Sequence, residues 1–406
     1  MKEKNVIKIL LYAYLFLYIF SMINREFKPF GFDLRFLVVP LGCLVIFFKF
    51  IKNDLKIIID KEDKTGSYLI LFYIVVFLSN ISWIWNGIDM NTSKFINETI
   101  LLSNTFIGIL VIYIYRKNID FQKILRYTII SCLILSLSIF LVYKGVPFEK
   151  IMGDTSEADI YYGNDMVSHK NIFGDNFRCA GYASDPNYAT ILLFFGVISS
   201  IKLRKNKKWI KYITILVFCL AIGLSFSKTV IAGALATIIY IFLYKKVRFI
   251  ARNKKNIDRI MISTLFVIMF IIPMLNLQKY FPETLALRFS MWKGAQQLFF
   301  KNPVIGSGIT SFRSFFEITH ANWYVHCHCT FWQVLSETGI IGLMLYSKML
   351  INSLDNKKTA TSYFLTLLFI IWSMTYETIA LPLSIFALYI LELENVEKNE
   401  NKGENE

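Results

Sequence analysis

Apolar residues run along this chain in long blocks, and short polar or charged stretches separate the blocks. Leu34 to Ile51, Tyr68 to Trp85, Ile191 to Leu203 and Ile260 to Leu277 are examples. A helix needs roughly 20 mostly apolar residues to cross about 30 Å of hydrocarbon. By that measure the pattern predicts about twelve spanning helices, some of them short. The fold class expected is all-α, a polytopic membrane protein. The blocks place the first five spans in residues 1–146, a long loop in 147–186, the middle spans in 187–277, a second long loop in 278–330 and the last three spans in 331–392. The remainder, 393–406, is polar and charged and reads as a disordered tail. Both long loops are rich in aromatics, glycine and mixed charge, so they are expected to be folded and functional. Within the second, Leu287, Met291, Ala295 and Leu298 share one helical face, with Ser290, Lys293, Gln297 and Lys301 towards the other. That pattern predicts a helix lying in the membrane interface.

Composition strengthens the membrane reading. Of 406 residues, 55% are hydrophobic and only 18% charged, against about a quarter charged in soluble domains. A soluble protein is excluded. The net charge of +15 would suit nucleic acid, but its distribution does not. With the amino terminus in the cytoplasm, alternate loops hold Lys52, Lys56, Lys61 and Lys64, then Arg116, Lys117, Lys123 and Arg126. Next come Arg204, Lys205, Lys207, Lys208 and Lys211, and then Lys245, Lys246, Arg248, Arg252, Lys254, Lys255 and Arg259. This is the positive-inside pattern, so no nucleic-acid partner is expected. Arg25, Lys28 and Arg35 in the first external loop run against it. Both termini fall in the cytoplasm and both long loops outside. Met1-Lys2-Glu3-Lys4 leads straight into the first span without a small-residue cleavage site, so that helix is expected to stay uncleaved.

The chemistry-bearing stretch begins at His326-Cys327-His328-Cys329-Thr330 and continues through Glu337, Gly339 and Gly342. Thr330 followed by Gln333 ahead of an apolar run predicts a capping box, which sets His328 just before a helix amino terminus. The helix dipole there disfavours imidazolium and favours bound anions. A neutral imidazole beside an anion site suits a general base acting on a sugar hydroxyl, although a histidine can equally be a hydrogen-bonded loop residue. Glu337 lies nine residues further on, a turn of about 900° and a descent of about 13 Å along a straight helix. It therefore faces away from His328 and reads as a packing and positioning residue. Gly339 and Gly342 would allow close helix approach. The run of two His and two Cys invites a zinc reading, but ligands two apart rarely supply a tetrahedral set, so no metal is expected. Cys179 and one of Cys327 or Cys329 fall outside the cytoplasm and could pair as a disulfide. Cys43, Cys132 and Cys219 read as packing residues.

His328, Glu337, Gly339 and Gly342 in this register resemble the signature of the O-antigen ligase/polymerase superfamily, with Cys329 where Asn is usual. Three further pieces are similar to the same superfamily, in the expected order. Arg178-Cys179-Ala180-Gly181, continuing to Pro186-Asn187, resembles its Arg-x-x-Gly…Pro-Asn stretch. Leu224-Ser225-Phe226-Ser227-Lys228-Thr229 resembles its Ser-x-Ser-Arg turn, with Lys228 where Arg is usual. Arg288 with Trp292, and then Asn302-Pro303-Val304-Ile305-Gly306-Ser307-Gly308, resembles the stretch ahead of the histidine. The matches run from residue 178 to 343.

The resemblance implies a GT-C-like glycosyltransferase architecture and metal-independent, cofactor-free glycosyl transfer outside the cytoplasmic membrane. The substrate class it implies is a polyprenyl-diphosphate-linked oligosaccharide, handled among membrane lipids beside a flippase and a chain-length regulator. His328, Arg288 and Arg178 are the catalytic candidates. Lys228, Arg313, His326, Asn187 and Glu377 are candidates for binding diphosphate or glycan. The residue types fit the chemistry: Arg meets phosphate as a bidentate fork and Lys as a point charge, and together they stabilise a departing diphosphate. Outer-edge Arg and Lys also serve as headgroup anchors, the plainer use of such residues. The reading is thus a polymerase of lipid-linked repeats for O-antigen, capsule or exopolysaccharide. Two alternatives stand beside it: a ligase passing a finished glycan to lipid A or another acceptor, and a lipid-oligosaccharide flippase. Paired inverted halves with interrupted helices, the pattern of many transporters, are not evident.

Overall fold

A computed structural model of the chain describes residues 2–29, 32–51, 64–116, 118–146, 170–171, 174–175, 178–183, 185–204, 207–246, 252–275, 283–319, 327–355, 360–380 and 382–390. The helices are α1 (Lys2–Ile23), α2 (Arg35–Ile51), α3 (Lys64–Leu78), α4 (Thr92–Tyr115) and α5 (Phe121–Tyr143). They continue with α6 (Pro186–Lys202), α7 (Lys208–Ser225), α8 (Lys228–Lys246) and α9 (Lys254–Ile271). The last are α10 (Glu283–Lys301), α11 (Ser311–Thr319), α12 (Thr330–Asp355), α13 (Ala360–Thr375) and a final helix over 382–390. Short 3-10 turns extend α3 over Ser79–Ile84 and α9 over Ile272–Leu275.

The protein is an all-α polytopic membrane protein. Among the described residues, seven helices are long and apolar enough to cross a bilayer: α1, α3 with its 3-10 extension, α4, α5, α7, α9 with its extension, and α12. Shorter apolar segments lie in α8 (Lys228–Leu243) and α13 (Tyr363–Thr375). The extended backbone described is one antiparallel pair of two-residue strands, Lys170–Asn171 with Gly174–Asp175. Most of the first long loop, His326 and the 393–406 tail lie outside the described residues.

The chain forms two compact units. The first comprises 1–56, 107–232 and 381–396. In it α5 packs on α1, α6 and α7, and α6 packs on α7. Tyr14, Tyr18, Ile124, Leu135, Phe195 and Tyr389 are buried in its core. Backbones approach where side chains vanish: a Cβ on Gly108 would lie 2.2 Å from the Tyr18 ring, and one on Gly42 2.4 Å from Ile107. Small residues at such crossings are the usual means of helix association in lipid.

The second unit comprises 57–106, 233–380 and 397–406. Its centre is α12, which packs on α3, α9, α10, α11 and α13. Trp332, Tyr346, Phe72, Tyr73, Trp372, Phe312 and Phe316 are buried around it. The apolar face of α10 is turned into this unit. Met291, Ala295 and Leu298 are buried against protein, and Gln296 Nε2 donates to the Phe270 carbonyl at 3.1 Å. The face expected to lie on the membrane interface is therefore covered by neighbouring helices.

The central helix is broken. Gly339 takes φ 67 and ψ −165 inside α12, a backbone that essentially only glycine adopts. The segment from Pro303 to Gly308 runs alongside the break and satisfies the backbone groups it strands. Ser307 and Gly308 N–H donate to the carbonyls of Ser336 and Glu337, each at 2.9 Å. Ile340 and Ile341 N–H donate to the carbonyls of Pro303 and Val304, at 2.9 and 3.3 Å. Buried backbone groups need such partners, above all in lipid. The segment is itself held from the α3 side: Asn86 Nδ2 donates to the Ser307 carbonyl at 2.8 Å, and Ile309 N–H to Asn80 Oδ1 at 2.9 Å.

Candidate active site

In the second unit, His328 stands in the short turn that leads into α12. Its neighbours fix that turn on every side. Cys327 N–H donates to Glu377 Oε1, and Trp292 Nε1 donates to the Cys327 carbonyl at 3.2 Å. Thr330 N–H and Oγ1 both donate to the Tyr376 carbonyl, at 3.1 and 2.7 Å. Thr378 N–H donates to Thr330 Oγ1 at 2.8 Å. The His328 ring lies against Tyr376, with centroids 5.6 Å apart. His328 itself has φ +52. The left-handed region costs a residue with a Cβ about 1–2 kcal/mol, and it persists where the surroundings over-determine it.

The expected capping box does not form. The Thr330 hydroxyl is engaged with Tyr376 and Thr378, and Gln333 N–H closes the first helical turn on the Cys329 carbonyl at 3.0 Å. Cys329, whose carbonyl takes that bond, is buried just ahead of the helix. Burial first, offset in part by the nearby Trp332 and Phe331 backbone, pushes its thiol up to about 12, so it stays neutral. Burial likewise holds the Cys327 thiol well above its ordinary range, reinforced by Cys329 and Glu377. The positive charge of Arg288 reaches the Cys329 thiol from α10. Arg288 is one turn before Trp292, so the two share a helix face.

Behind the turn lies a buried charged cluster. Arg313 Nη1 pairs with Glu98 Oε2 at 3.2 Å and Nη2 with Glu377 Oε2 at 3.3 Å. All three are buried, and so is Glu337. Glu377, Arg313 and Glu98 all act electrostatically on Glu337. Arg313 sits in the first turn of α11, where the Thr310 carbonyl accepts Ser314 N–H at 3.1 Å. Buried carboxylates in a membrane protein need such partners, and one guanidinium with two ion-pair arms supplies them. Arg313 and Glu377, expected to reach for substrate, are thus turned towards each other.

The glycines also take roles other than the expected helix crossing. A Cβ on Gly339 would lie 2.3 Å from the Val304 carbonyl oxygen, so it is a loop backbone that approaches there. A Cβ on Gly342 would lie 1.8 Å from Thr338 Oγ1, a neighbour on its own helix brought near by the break.

A second polar constellation forms within the first unit. Arg178 Nη2 donates to Asn187 Oδ1 at 3.1 Å, and Ser227 Oγ donates to the same oxygen at 2.7 Å. Asp185 caps α6 by accepting Asn187 and Tyr188 N–H, at 2.6 and 3.2 Å, with Pro186 opening the helix. Ser227 opens α8, its carbonyl accepting Ile231 N–H at 3.0 Å. Phe226 makes the reversal between α7 and α8 with φ 44. The Asn187–Ser227 bond therefore joins two helix amino termini, whose partial positive charges favour an anion. Arg178 is half-buried beside them, and Lys228, the first residue of α8, is exposed with its ammonium 5.7 Å from the Phe226 ring. Cys179 N–H donates to the Leu224 carbonyl at 3.1 Å, tying the two stretches together.

Residues 188–347 match the model of a family described as O-antigen ligase. Over this segment the chain is similar to the O-antigen ligase/polymerase superfamily. The family segment includes Ser227, Lys228, Arg288, Trp292, Arg313, His328, Glu337, Gly339 and Gly342, while Arg178, Asn187, Glu98 and Glu377 lie outside it. No curated protein matches the chain. The family carries the general type of function, O-antigen ligase or polymerase in a multi-pass membrane protein.

Within the family segment and around it, the structure gathers His328 with Glu377 in the second unit, and Arg178 with Asn187 in the first. Among the described residues no group of three or more His, Cys, Asp and Glu could hold a metal ion. All six cysteines are free thiols, so the Cys179 disulfide considered from sequence is not formed. Sequence reasoning missed Glu98, Asn80, Asn86 and Tyr376. Glu98 is the one with a detectable signal, an acidic residue in an otherwise apolar span (Thr92–Tyr115).

Proposed function

We propose that the chain polymerises polyprenyl-diphosphate-linked oligosaccharide repeats into a surface polysaccharide by inverting, metal-independent glycosyl transfer. The observation that carries the reading is His328, held in a left-handed backbone by Glu377, Trp292 and the Thr330–Tyr376 bonds, with Arg288 on the same helix face as Trp292. His328 takes the proton of an acceptor hydroxyl. That oxygen forms a bond to the anomeric carbon as the bond from this carbon to the diphosphate oxygen breaks, and the diphosphate leaves with the electron pair. A single displacement inverts the carbon. Arg288, Arg178 and Lys228 are the cations assigned to the diphosphates of donor and acceptor, where positive charge stabilises the leaving group. Asn187 orients the Arg178 fork. His326 contributes to glycan binding.

The proposal places the protein in the cytoplasmic membrane with both termini in the cytoplasm and the His328 turn outside. A flippase would supply its substrate and a chain-length regulator would act beside it. The test is to incubate purified protein with a polyprenyl-diphosphate-linked repeat and resolve the products. A ladder of multiples is expected, and a His328→Ala variant that still made the full ladder would remove the assigned base. A single chain on a non-repeat acceptor would instead make the protein a ligase. Movement of labelled lipid across liposomes without any product would make it a flippase.

A further inference from the structure

Three buried charged groups, from α4, α11 and the 376–380 turn, form a chain of contacts that ends on the residue before His328. Arg313, the third residue of α11, reaches Glu98 with one nitrogen and Glu377 with the other. Glu377 uses its remaining oxygen on Cys327 N–H. The geometry points to Glu98 and Arg313 as positioning residues for the His328 turn. They act through Glu377 and touch no reacting atom. The inference rests on the proposed role of His328 as base, and it adds what fixes that base.

Three features support the assignment. Of these charged groups Glu377 meets the turn, and its carboxylate has two oxygens in different directions, one to Cys327 and one to Arg313. Its orientation therefore depends on where the guanidinium sits. The guanidinium is planar and holds its two partners in a fixed fork, so a shift at Glu98 is carried to Glu377 rather than absorbed. The His328 backbone is in a sparsely populated region that relaxes unless held. Glu98 lies outside the family segment, so part of the frame of the site comes from the first hundred residues of the chain.

The test uses the full-length protein in proteoliposomes, with a polyprenyl-diphosphate-linked repeat as the probe substrate. Three variants are compared with the parent: Glu98→Gln, Glu98→Asp and Arg313→Lys. Two readouts are taken. In hydrogen exchange, Glu98→Gln and Arg313→Lys are expected to speed exchange across 327–333 by about tenfold or more, with 344–350 at the far end of α12 unchanged. In initial-rate kinetics the same two variants are expected to lower kcat about tenfold or more, with KM for the donor within about twofold. Glu98→Asp, which keeps the charge, is expected to recover most of the rate. Unchanged exchange over 327–333 would overturn the inference. So would a loss of rate seen only as a rise in KM, or loosening spread evenly over α12, which marks a stability defect. If the parent protein forms no product while Glu98→Gln still loosens 327–333, the glycosyl-transfer reading fails and the positioning chain stands.

Discussion

Replacing Gly339 with alanine tests whether the break in α12 is built by the sequence or tolerated by it. The new Cβ would lie 2.3 Å from the Val304 oxygen, 2.5 Å from the Val304 carbonyl carbon and 2.6 Å from the Gly306 nitrogen. All three are backbone atoms, so no side chain can swing aside. The backbone at φ 67 and ψ −165 costs a residue with a Cβ about 1–3 kcal/mol before any contact is considered. Clearing the clash moves the 303–308 segment away from α12 and breaks at least some of the bonds it makes to Ser336, Glu337, Ile340 and Ile341. Each such bond is worth about 0.5–1.5 kcal/mol, and more where a buried group is left unsatisfied. The expected loss is about 3–6 kcal/mol. The assay is reversible denaturation in detergent micelles, with Gly223→Ala in α7 as the comparison. A Cβ on Gly223 meets nothing within 4 Å, so alanine there should stabilise by about 0.5–1 kcal/mol. Opposite signs are expected from one chemical change. A Gly339→Ala protein within about 1 kcal/mol of the parent would refute the wedge as a fixed part of the fold.

Other outcomes follow from the same geometry. His328→Ala should cut glycosyl transfer by about 10²-fold or more with donor binding retained, measured by product formation alongside equilibrium binding of the labelled donor. Arg178→Lys should not restore function to the level of the parent, because a point charge cannot hold Asn187 and phosphate as a fork does; a rise in KM for the donor is the readout. With its thiol pushed up to about 12 by burial, Cys329 should resist maleimide between pH 7 and about 9 in the folded protein and label once the protein is denatured.

Much of this protein is set by local rules. Apolar runs of bilayer length force helices, because lipid offers the backbone no other partners, and the helices formed where the runs lie. Asp185-Pro186 marks the start of α6 because a side-chain acceptor followed by a fixed φ is how helices begin. The motif register around His328 was also readable, and so was the turn at Ser227-Lys228. What could not be read were contacts between residues far apart in the chain. Glu98 and Arg313 are 215 positions apart, and nothing local to either predicts the ion pair. The Thr330–Gln333 pattern satisfied the capping rule, yet Thr330 found a better-placed acceptor in Tyr376, 46 positions away. Gly339 and Gly342 carried the mark of close approach without saying what approaches, which proved to be the 303–308 backbone and Thr338.

The sequence by itself determined that this is a polytopic α-helical membrane protein and marked the stretches where its chemistry would lie. It did so because hydrophobic length and capping preference act over a few residues. Only the tertiary structure decided that Arg313 and Glu377 face each other, that α10 packs against protein, and that Thr330 bonds to Tyr376. Those outcomes depend on which buried charge or backbone group meets which partner, and burial makes that pairing obligatory without encoding it locally.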